Sequence, residues 1–211
     1  MFRFKNRVHA GQYLAERLTQ YAAASAAVVL GLPRGGVVVA HEIAVKLGLP
    51  LDIFLVRELG VPGYEELAMG AIASGGVRVM NEDVMRQIRI PDSAVEAVTR
   101  REELELKRRE VAYRGNRPPL NVEGLTVILV DDGLATGSTM RAAVTALRRQ
   151  DPKRIIVAVP TASPDVCDEF KAEVDEILCG MTPTPYYAVG AWYEDFSQTT
   201  DEEVQQLIQA A

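Results

Sequence analysis

Histidine and cysteine are scarce in this chain. Its 211 residues include only His9 and His41, so a histidine-based zinc site would need both, and no His-Glu-x-x-His spacing exists. A Ser-His-Asp hydrolase would also need one of them, and the Gly-x-Ser-x-Gly elbow is absent. Cys167 and Cys179 lack the Cys-x-x-Cys spacing, which predicts unbonded thiols in a reducing compartment. Zinc enzymes, triad hydrolases and disulfide frameworks are therefore disfavoured.

The chain also lacks an excess of positive charge and a long apolar run. Its net charge of −6 and pI near 5.1 argue against the basic face of a nucleic-acid-binding protein. No apolar run approaches the roughly 20 residues of a membrane span. The basic N-terminal segment is not followed by the apolar stretch of a secretory signal. We therefore expect a cytoplasmic protein without nucleic-acid or membrane partners.

The hydrophobic fraction is 48% over 211 residues, which is enough for one substantial core, so we expect a single domain over 1–211. Strand-like apolar runs alternate with helical stretches, and this alternation predicts an α/β fold with a parallel sheet. The predicted strands are 26–31, 51–56, 127–130, 154–159 and 175–179. The predicted helices are 10–24, 37–47, 93–113 and 164–172, with another after 127–139. Two apolar pieces, 69–73 and 77–80, predict a hairpin.

The predicted helix 93–113 carries a run of mixed charges from Arg100 to Glu110. Glu103–Lys107 and Glu105–Arg109 have the i, i+4 spacing, which contributes only a few tenths of a kcal/mol each. We interpret this run as a solvated helix face; a partner-binding surface is the alternative.

The segment Val127–Thr139 combines an apolar strand, two carboxylates and a hydroxyl-rich loop. Asp131 and Asp132 directly follow the strand, at the end where open α/β sheets bind ligands. The loop Ala135–Thr139 leads into an amphipathic helix, whose N-terminal amides and positive dipole end suit a phosphate. This combination indicates a sugar-phosphate site. A hydroxyl N-cap after a carboxylate turn is the structural alternative.

This segment resembles the phosphoribosyl diphosphate (PRPP) signature of type I phosphoribosyltransferases, and Asp-Asp-x-Leu-Ala-Thr-Gly-x-Thr is most similar to the adenine-type members. The resemblance implies that Asp131 and Asp132 receive the ribose hydroxyls, with Mg²⁺ bound mainly through those hydroxyls or water. It also implies a 5′-phosphate site made by Ala135, Thr136, Gly137, Ser138 and Thr139. Two positions depart from the pattern. Gly133 replaces an aliphatic residue, and Ala135 replaces an Asp proposed to handle the base proton in hypoxanthine–guanine enzymes.

The segment Gly31-Leu-Pro-Arg-Gly-Gly36 joins the first predicted strand to its helix. It matches neither the dinucleotide fingerprint nor the P-loop. It is similar to the pyrophosphate-binding loop of the same family, which implies that Pro33, Arg34, Gly35 and Gly36 bind the diphosphate, with Arg34 as a bidentate donor. From the residues alone, a glycine-rich turn with an exposed arginine is equally consistent.

Two further regions correspond to parts of the family fold. Residues 57–76 stand where the family has a flexible loop, which implies that Arg57 contacts the diphosphate and that Glu58, Glu65 or Glu66 assists base protonation. A surface hairpin is the alternative. The family's small hood would come from about 1–24 and 181–211, around a core of about 25–180. Within it, Tyr187 is in the position of a base-stacking residue, with Val189 nearby; packing of the hood or of a dimer contact is the alternative.

The resemblance thus implies a type I phosphoribosyltransferase-like fold and a Mg²⁺-dependent transfer of phosphoribose from PRPP to a nitrogenous base, with release of pyrophosphate. Arg34, Arg57, Asp131 and Asp132 would be the catalytic residues, and we expect a homodimer. A non-catalytic PRPP- or nucleotide-binding regulator is the main alternative. A phosphoacceptor signalling domain is disfavoured, because its paired acids should lie near the start of the domain.

Overall fold

A central sheet of five parallel strands is flanked by helices in the computed structural model, which describes residues 2–115 and 117–210. The strands are β1 (Ala27–Gly31), β2 (Leu51–Ile53), β3 (Val56–Val61), β4 (Tyr64–Ala73), β5 (Val77–Met80), β6 (Thr126–Val130), β7 (Arg154–Thr161) and β8 (Glu176–Met181). The helices are α1 (Arg7–Ala15), α2 (Gly35–Leu47), α3 (Glu82–Ile88), α4 (Asp92–Arg114), α5 (Ser138–Arg148), α6 (Pro164–Glu173) and α7 (Asp201–Gln209). The central sheet has the order β2-β1-β6-β7-β8, which confirms the predicted α/β fold.

Strands β1, β6 and β7 form the middle of this sheet and are almost entirely buried. Both faces are covered, which explains their continuous Val, Ile and Leu runs. Val29 and Ile128 point to one apolar cluster, with residues of α1 and α2. Val28 and Val127 point to the other, with residues of α5 and α6. Within the described ranges, no helix is long and apolar enough to cross a membrane.

The strand predicted over 51–56 is two strands. β2 ends at Ile53, and β3 begins a separate antiparallel sheet of order β3-β4-β5. The predicted hairpin is confirmed, since Ala73 pairs with Val77 and Gly70 with Met80. This small sheet occupies the region predicted as a flexible loop or hairpin, and it packs against α4 and α5.

The predicted helix over 10–24 differs most from the structure. Helix α1 begins earlier because Asn6 caps it by accepting from the His9 amide. It ends at Ala15, and Thr19–Tyr21 form a separate 3-10 turn. The sequence interpretation assigned no helix to α3 or α7.

The prediction of two unbonded thiols is wrong in this structure. Cys167 on α6 and Cys179 on β8 form a disulfide. Helix α6 connects β7 to β8 and returns across the sheet, so two cysteines 12 residues apart in sequence face each other. Sequence spacing alone did not show this juxtaposition.

Candidate active site

Asp131 and Asp132 directly follow β6, the middle strand of the sheet, at its carboxyl edge. The Asp131 Oδ1 accepts a hydrogen bond from the Asp132 amide at 2.8 Å. The Asp132 Oδ2 accepts from the Arg7 Nε at 2.7 Å. The pair is therefore asymmetric, because Asp132 has a cationic partner and Asp131 has a backbone amide.

Burial sets the proton affinity of the acid pair. It raises the pKa of Asp131 well above its ordinary value, and the negative charge of Asp132 raises that pKa further. Burial also raises the pKa of Asp132, but there Arg7 opposes the shift. Burial therefore favours the protonated form of both carboxyl groups, and Asp132 is the one with a direct ionic partner.

Arg7 on α1 joins the acid pair to the C-terminal segment. Its Nη1 donates to the Ser197 carbonyl at 2.7 Å, and its guanidinium carbon lies 3.9 Å from the ring centroid of Phe196. Tyr193 donates from its hydroxyl to the Asp132 carbonyl at 2.6 Å. Sequence reasoning missed Arg7, because nothing near it in the chain links it to an acid 125 residues away.

The 31–36 loop lies directly against the acid pair. The Leu32 amide donates to the Val130 carbonyl at 2.9 Å. A Cβ at Gly35 would clash with the Asp132 carboxylate and lie 2.5 Å from the Arg7 Nε, and one at Gly36 would lie 2.8 Å from the Asp131 Cα. Only glycine allows this approach, so the structure brings the two sequence-predicted segments together.

Arg34 lies beside helix α7. Its Nη1 lies 3.8 Å from the Asp201 Oδ1 on α7. Together with Pro33 it lines a cleft of about 490 Å³. The other residues lining this cleft are Arg108, Arg109, Tyr113 and Asp201.

The hydroxyl-rich loop ends at the start of α5. The N-cap of α5 is Gly137, with φ +74° and no side-chain cap, so a hydroxyl residue does not occupy the N-cap position. The Thr136 hydroxyl, one residue before it, accepts from the Ser138 amide at 3.5 Å. Ser138 also donates from its Oγ to the Glu58 Oε1 at 2.9 Å, and Thr139 from its Oγ1 to the same atom at 3.4 Å. A carboxylate of β3 thus occupies the hydroxyls that a phosphate would use.

The structure does not bring Arg57 into contact with the acid pair. Its Nε and Nη2 donate to the Glu102 Oε2 on α4, at 2.8 and 2.5 Å. Glu65 lies on β4 and is exposed, as is Glu66. Of the three glutamates considered for base protonation, Glu58 is the one that contacts the predicted phosphate loop.

A second cleft, of about 480 Å³, lies between the hydroxyl loop and the C-terminal segment. Its lining residues are Ala135, Thr136, Ser163, Pro164, Asp165, Thr184, Tyr186 and Tyr187. The Tyr187 side chain is 82% exposed. Val189 lies beside Gly133, where a Cβ would come within 2.5 Å of its Cγ1. This contact explains the departure at position 133, since the aliphatic residue usual in the family would not fit.

The acid pair suits a magnesium ion whose other ligands are water and substrate oxygens. Among the residues described, no three His, Cys, Asp or Glu side chains are placed to hold a metal ion by themselves. Protein-bound Mg²⁺ commonly takes one or two carboxylates and completes its shell with water and substrate oxygens. Asp131 and Asp132 supply two such carboxylates.

The sheet order and the position of the acid pair define the type I phosphoribosyltransferase class of α/β protein. The phosphoribosyl transferase domain model matches residues 4–178, and the chain belongs to this family.

Relatives of known sequence and structure agree with this assignment. The chain is 44% identical over 208 residues to a Mycobacterium tuberculosis H37Rv protein whose name marks it as a provisional phosphoribosyl transferase. The alignment covers 99% of this chain and 47% of that protein, so the chain spans about half the length of this relative. The crystal structure of TT1426 from Thermus thermophilus is 43% identical, with a TM-score of 0.88 and 99% of both chains covered. A bifunctional protein PyrR from Chloroflexus aurantiacus is 36% identical over 57% of this chain and 62% of its own length.

Proposed function

We propose that this chain transfers the phosphoribosyl group of PRPP to a nitrogenous base with the help of Mg²⁺, releasing pyrophosphate. The observation that carries the proposal is the meeting of three segments at one sheet edge. The acid pair follows β6, the hydroxyl-rich loop opens α5, and the 31–36 loop touches both acids through its two glycines. Ligands of open α/β sheets bind at this edge.

The acid pair suits the ribose. Two carboxylates can accept hydrogen bonds from the adjacent 2′- and 3′-hydroxyls, and such charge-assisted bonds are among the stronger ones. Asp132 is held by Arg7 at 2.7 Å, so its orientation is fixed before the ligand arrives. The hydrogen-bond partner of Asp131 is a backbone amide, which leaves its other carboxylate oxygen available to a hydroxyl or to Mg²⁺.

The Ala135–Thr139 loop suits the 5′-phosphate. Its helix lacks a side-chain cap, so the first amides of α5 can donate to an anion. Ser138 and Thr139 add hydroxyl donors that Glu58 accepts from in this structure. We propose that the phosphate displaces the Glu58 carboxylate from these hydroxyls.

The reaction breaks the bond between the ribose C1′ and the diphosphate oxygen and forms a bond from C1′ to a ring nitrogen of the base. The proton that this nitrogen loses would pass to the departing diphosphate or to water. Negative charge grows on the departing diphosphate, and the Pro33–Gly36 loop with Arg34 would stabilise it. Bound Mg²⁺ would neutralise part of the same charge. Arg57 would also contact the diphosphate. For this contact, the Arg57 guanidinium must first leave Glu102.

The second cleft is the proposed acceptor site. It adjoins the hydroxyl loop through Ala135 and Thr136, three and four residues after Asp132 along the chain. Tyr187 would stack on the base, a contact worth about 1–3 kcal/mol, and Val189 would support that side of the site. We further propose that the protein acts as a homodimer in the cytoplasm.

The test is pyrophosphate release from PRPP by the purified protein with Mg²⁺, across purines, pyrimidines and related heterocycles. The proposal expects release with at least one base, and its loss in the D131N/D132N variant. PRPP binding without release for any base would instead support the non-catalytic regulator.

A further inference from the structure

We propose that Arg108 and Arg109, in the C-terminal part of α4, bind a diphosphate group together with Arg34 of the 31–36 loop. The identity of the natural ligand, the diphosphate of PRPP or free pyrophosphate, rests on the proposed function. The three arginines line one cleft of about 490 Å³, with Pro33, Tyr113 and Asp201. Arg108 and Arg109 belong to the charged run that the sequence interpretation treated as a solvated face.

The arginines of the cleft are paired with carboxylates in this structure. Arg108 donates to both Glu105 carboxylate oxygens at 2.7 and 2.9 Å, and Arg109 donates to one of them at 2.7 Å. Arg34 lies 3.8 Å from Asp201, which also accepts from the Tyr113 hydroxyl. Three guanidinium groups are therefore paired with two carboxylates, those of Glu105 and Asp201. This cluster has a net positive charge.

A diphosphate matches this arrangement better than a single phosphate does. Each guanidinium presents paired N–H donors that fit two oxygens of a phosphate. The three arginines come from two separate elements, so a ligand with two linked phosphates can engage both sides at once. Arg34 adjoins Gly35, which lies directly against the Asp132 carboxylate. A diphosphate in this cleft would thus extend from the proposed ribose site across the 31–36 loop.

The test is calorimetric titration of pyrophosphate, without Mg²⁺, into the full chain and three variants. The R108Q/R109Q variant should bind about tenfold more weakly than wild type. The matched control R100Q/K107Q removes the same charge from exposed positions of the same helix, outside the cleft, and should change affinity less than about twofold. E105Q frees both α4 guanidinium groups and should tighten binding severalfold. Equal losses in R108Q/R109Q and the control, or no tightening in E105Q, would overturn the proposal.

Titrations of ribose 5-phosphate and PRPP separate this proposal from the proposed function. Ribose 5-phosphate probes the acid pair and the hydroxyl loop without a diphosphate. One outcome is that wild type binds ribose 5-phosphate and PRPP, and that R108Q/R109Q binds pyrophosphate as tightly as wild type does. That outcome supports the PRPP site and refutes the arginine site. If pyrophosphate depends on the arginines but PRPP does not bind, the arginine site stands and the proposed function fails. Inorganic phosphate with the same affinity and arginine dependence as pyrophosphate would refute a diphosphate-specific site.

Discussion

Replacing Arg7 with alanine tests whether this residue holds the acid pair in place. The Arg7 and Asp132 side chains are 11% and 16% exposed, so solvent screens their ion pair only weakly. Removing one partner of a fully buried pair costs about 3–5 kcal/mol. The variant also loses a hydrogen bond to the Ser197 carbonyl and a cation–π contact with Phe196. Since this pair keeps some exposure and the contributions are not additive, we expect a loss of about 3 kcal/mol.

For a chain of this size, 1 kcal/mol corresponds to about 2–4 °C in Tm, so Arg7→Ala should lower Tm by roughly 6–12 °C. Urea unfolding gives the free energy, and a double-mutant cycle with Asp132→Asn isolates the pair, with an expected coupling of about 1–3 kcal/mol. The matched control is Arg86→Ala, whose pair with Asp83 is 73% and 79% exposed and should contribute almost nothing. If Arg7→Ala behaves like this control, Arg7 does not hold the acid pair as described.

Three other variants test neighbouring features. Burial raises the pKa of Asp131, so the folded state binds its proton more tightly than the unfolded state, and stability falls as pH rises above the ordinary value of 3.8. Asp131→Asn should therefore raise Tm at pH 7 and weaken the pH dependence; a lower Tm at pH 7 in calorimetry would contradict this. Gly133→Ala places a Cβ 2.5 Å from the Val189 Cγ1 and should cost about 1–3 kcal/mol, with recovery in G133A/V189A; a full loss in the double variant would refute the contact. Glu58→Gln removes a charge from the phosphate loop and should tighten ribose 5-phosphate binding about fivefold; weaker binding in a titration would show that Glu58 does not compete with phosphate.

The sheet could be predicted because short sequence patterns determine its strands and the helices between them. Buried strands such as Val127–Val130 have continuous apolar sequences. A glycine marks the C-terminal end of helices such as α2, which Gly48 follows. The short α7 depends on a capping box between Thr200 and Glu203, a local signal that the sequence interpretation overlooked.

The site was predictable only where its residues are contiguous. The acid pair and hydroxyl loop lie in one segment, and the 31–36 loop is recognisable from its three glycines. The partners that shape their electrostatics come from elsewhere in the chain: Arg7 from 125 residues before Asp132, and Glu58 from 80 residues before Ser138. Such contacts depend on how the helices and the small sheet pack, which residue spacing does not encode.

Binding of PRPP tests the central claim most directly. Calorimetric titration of PRPP with Mg²⁺ should give saturable one-site binding to wild type, and at least about tenfold weaker binding to D131N/D132N. Asparagine keeps the size of each side chain, so the variant should stay folded at the titration temperature, with a lower Tm from the loss of the Arg7–Asp132 ion pair; circular dichroism checks this. Equal PRPP affinity in the folded variant and wild type, or no binding to wild type at millimolar PRPP, would contradict the account.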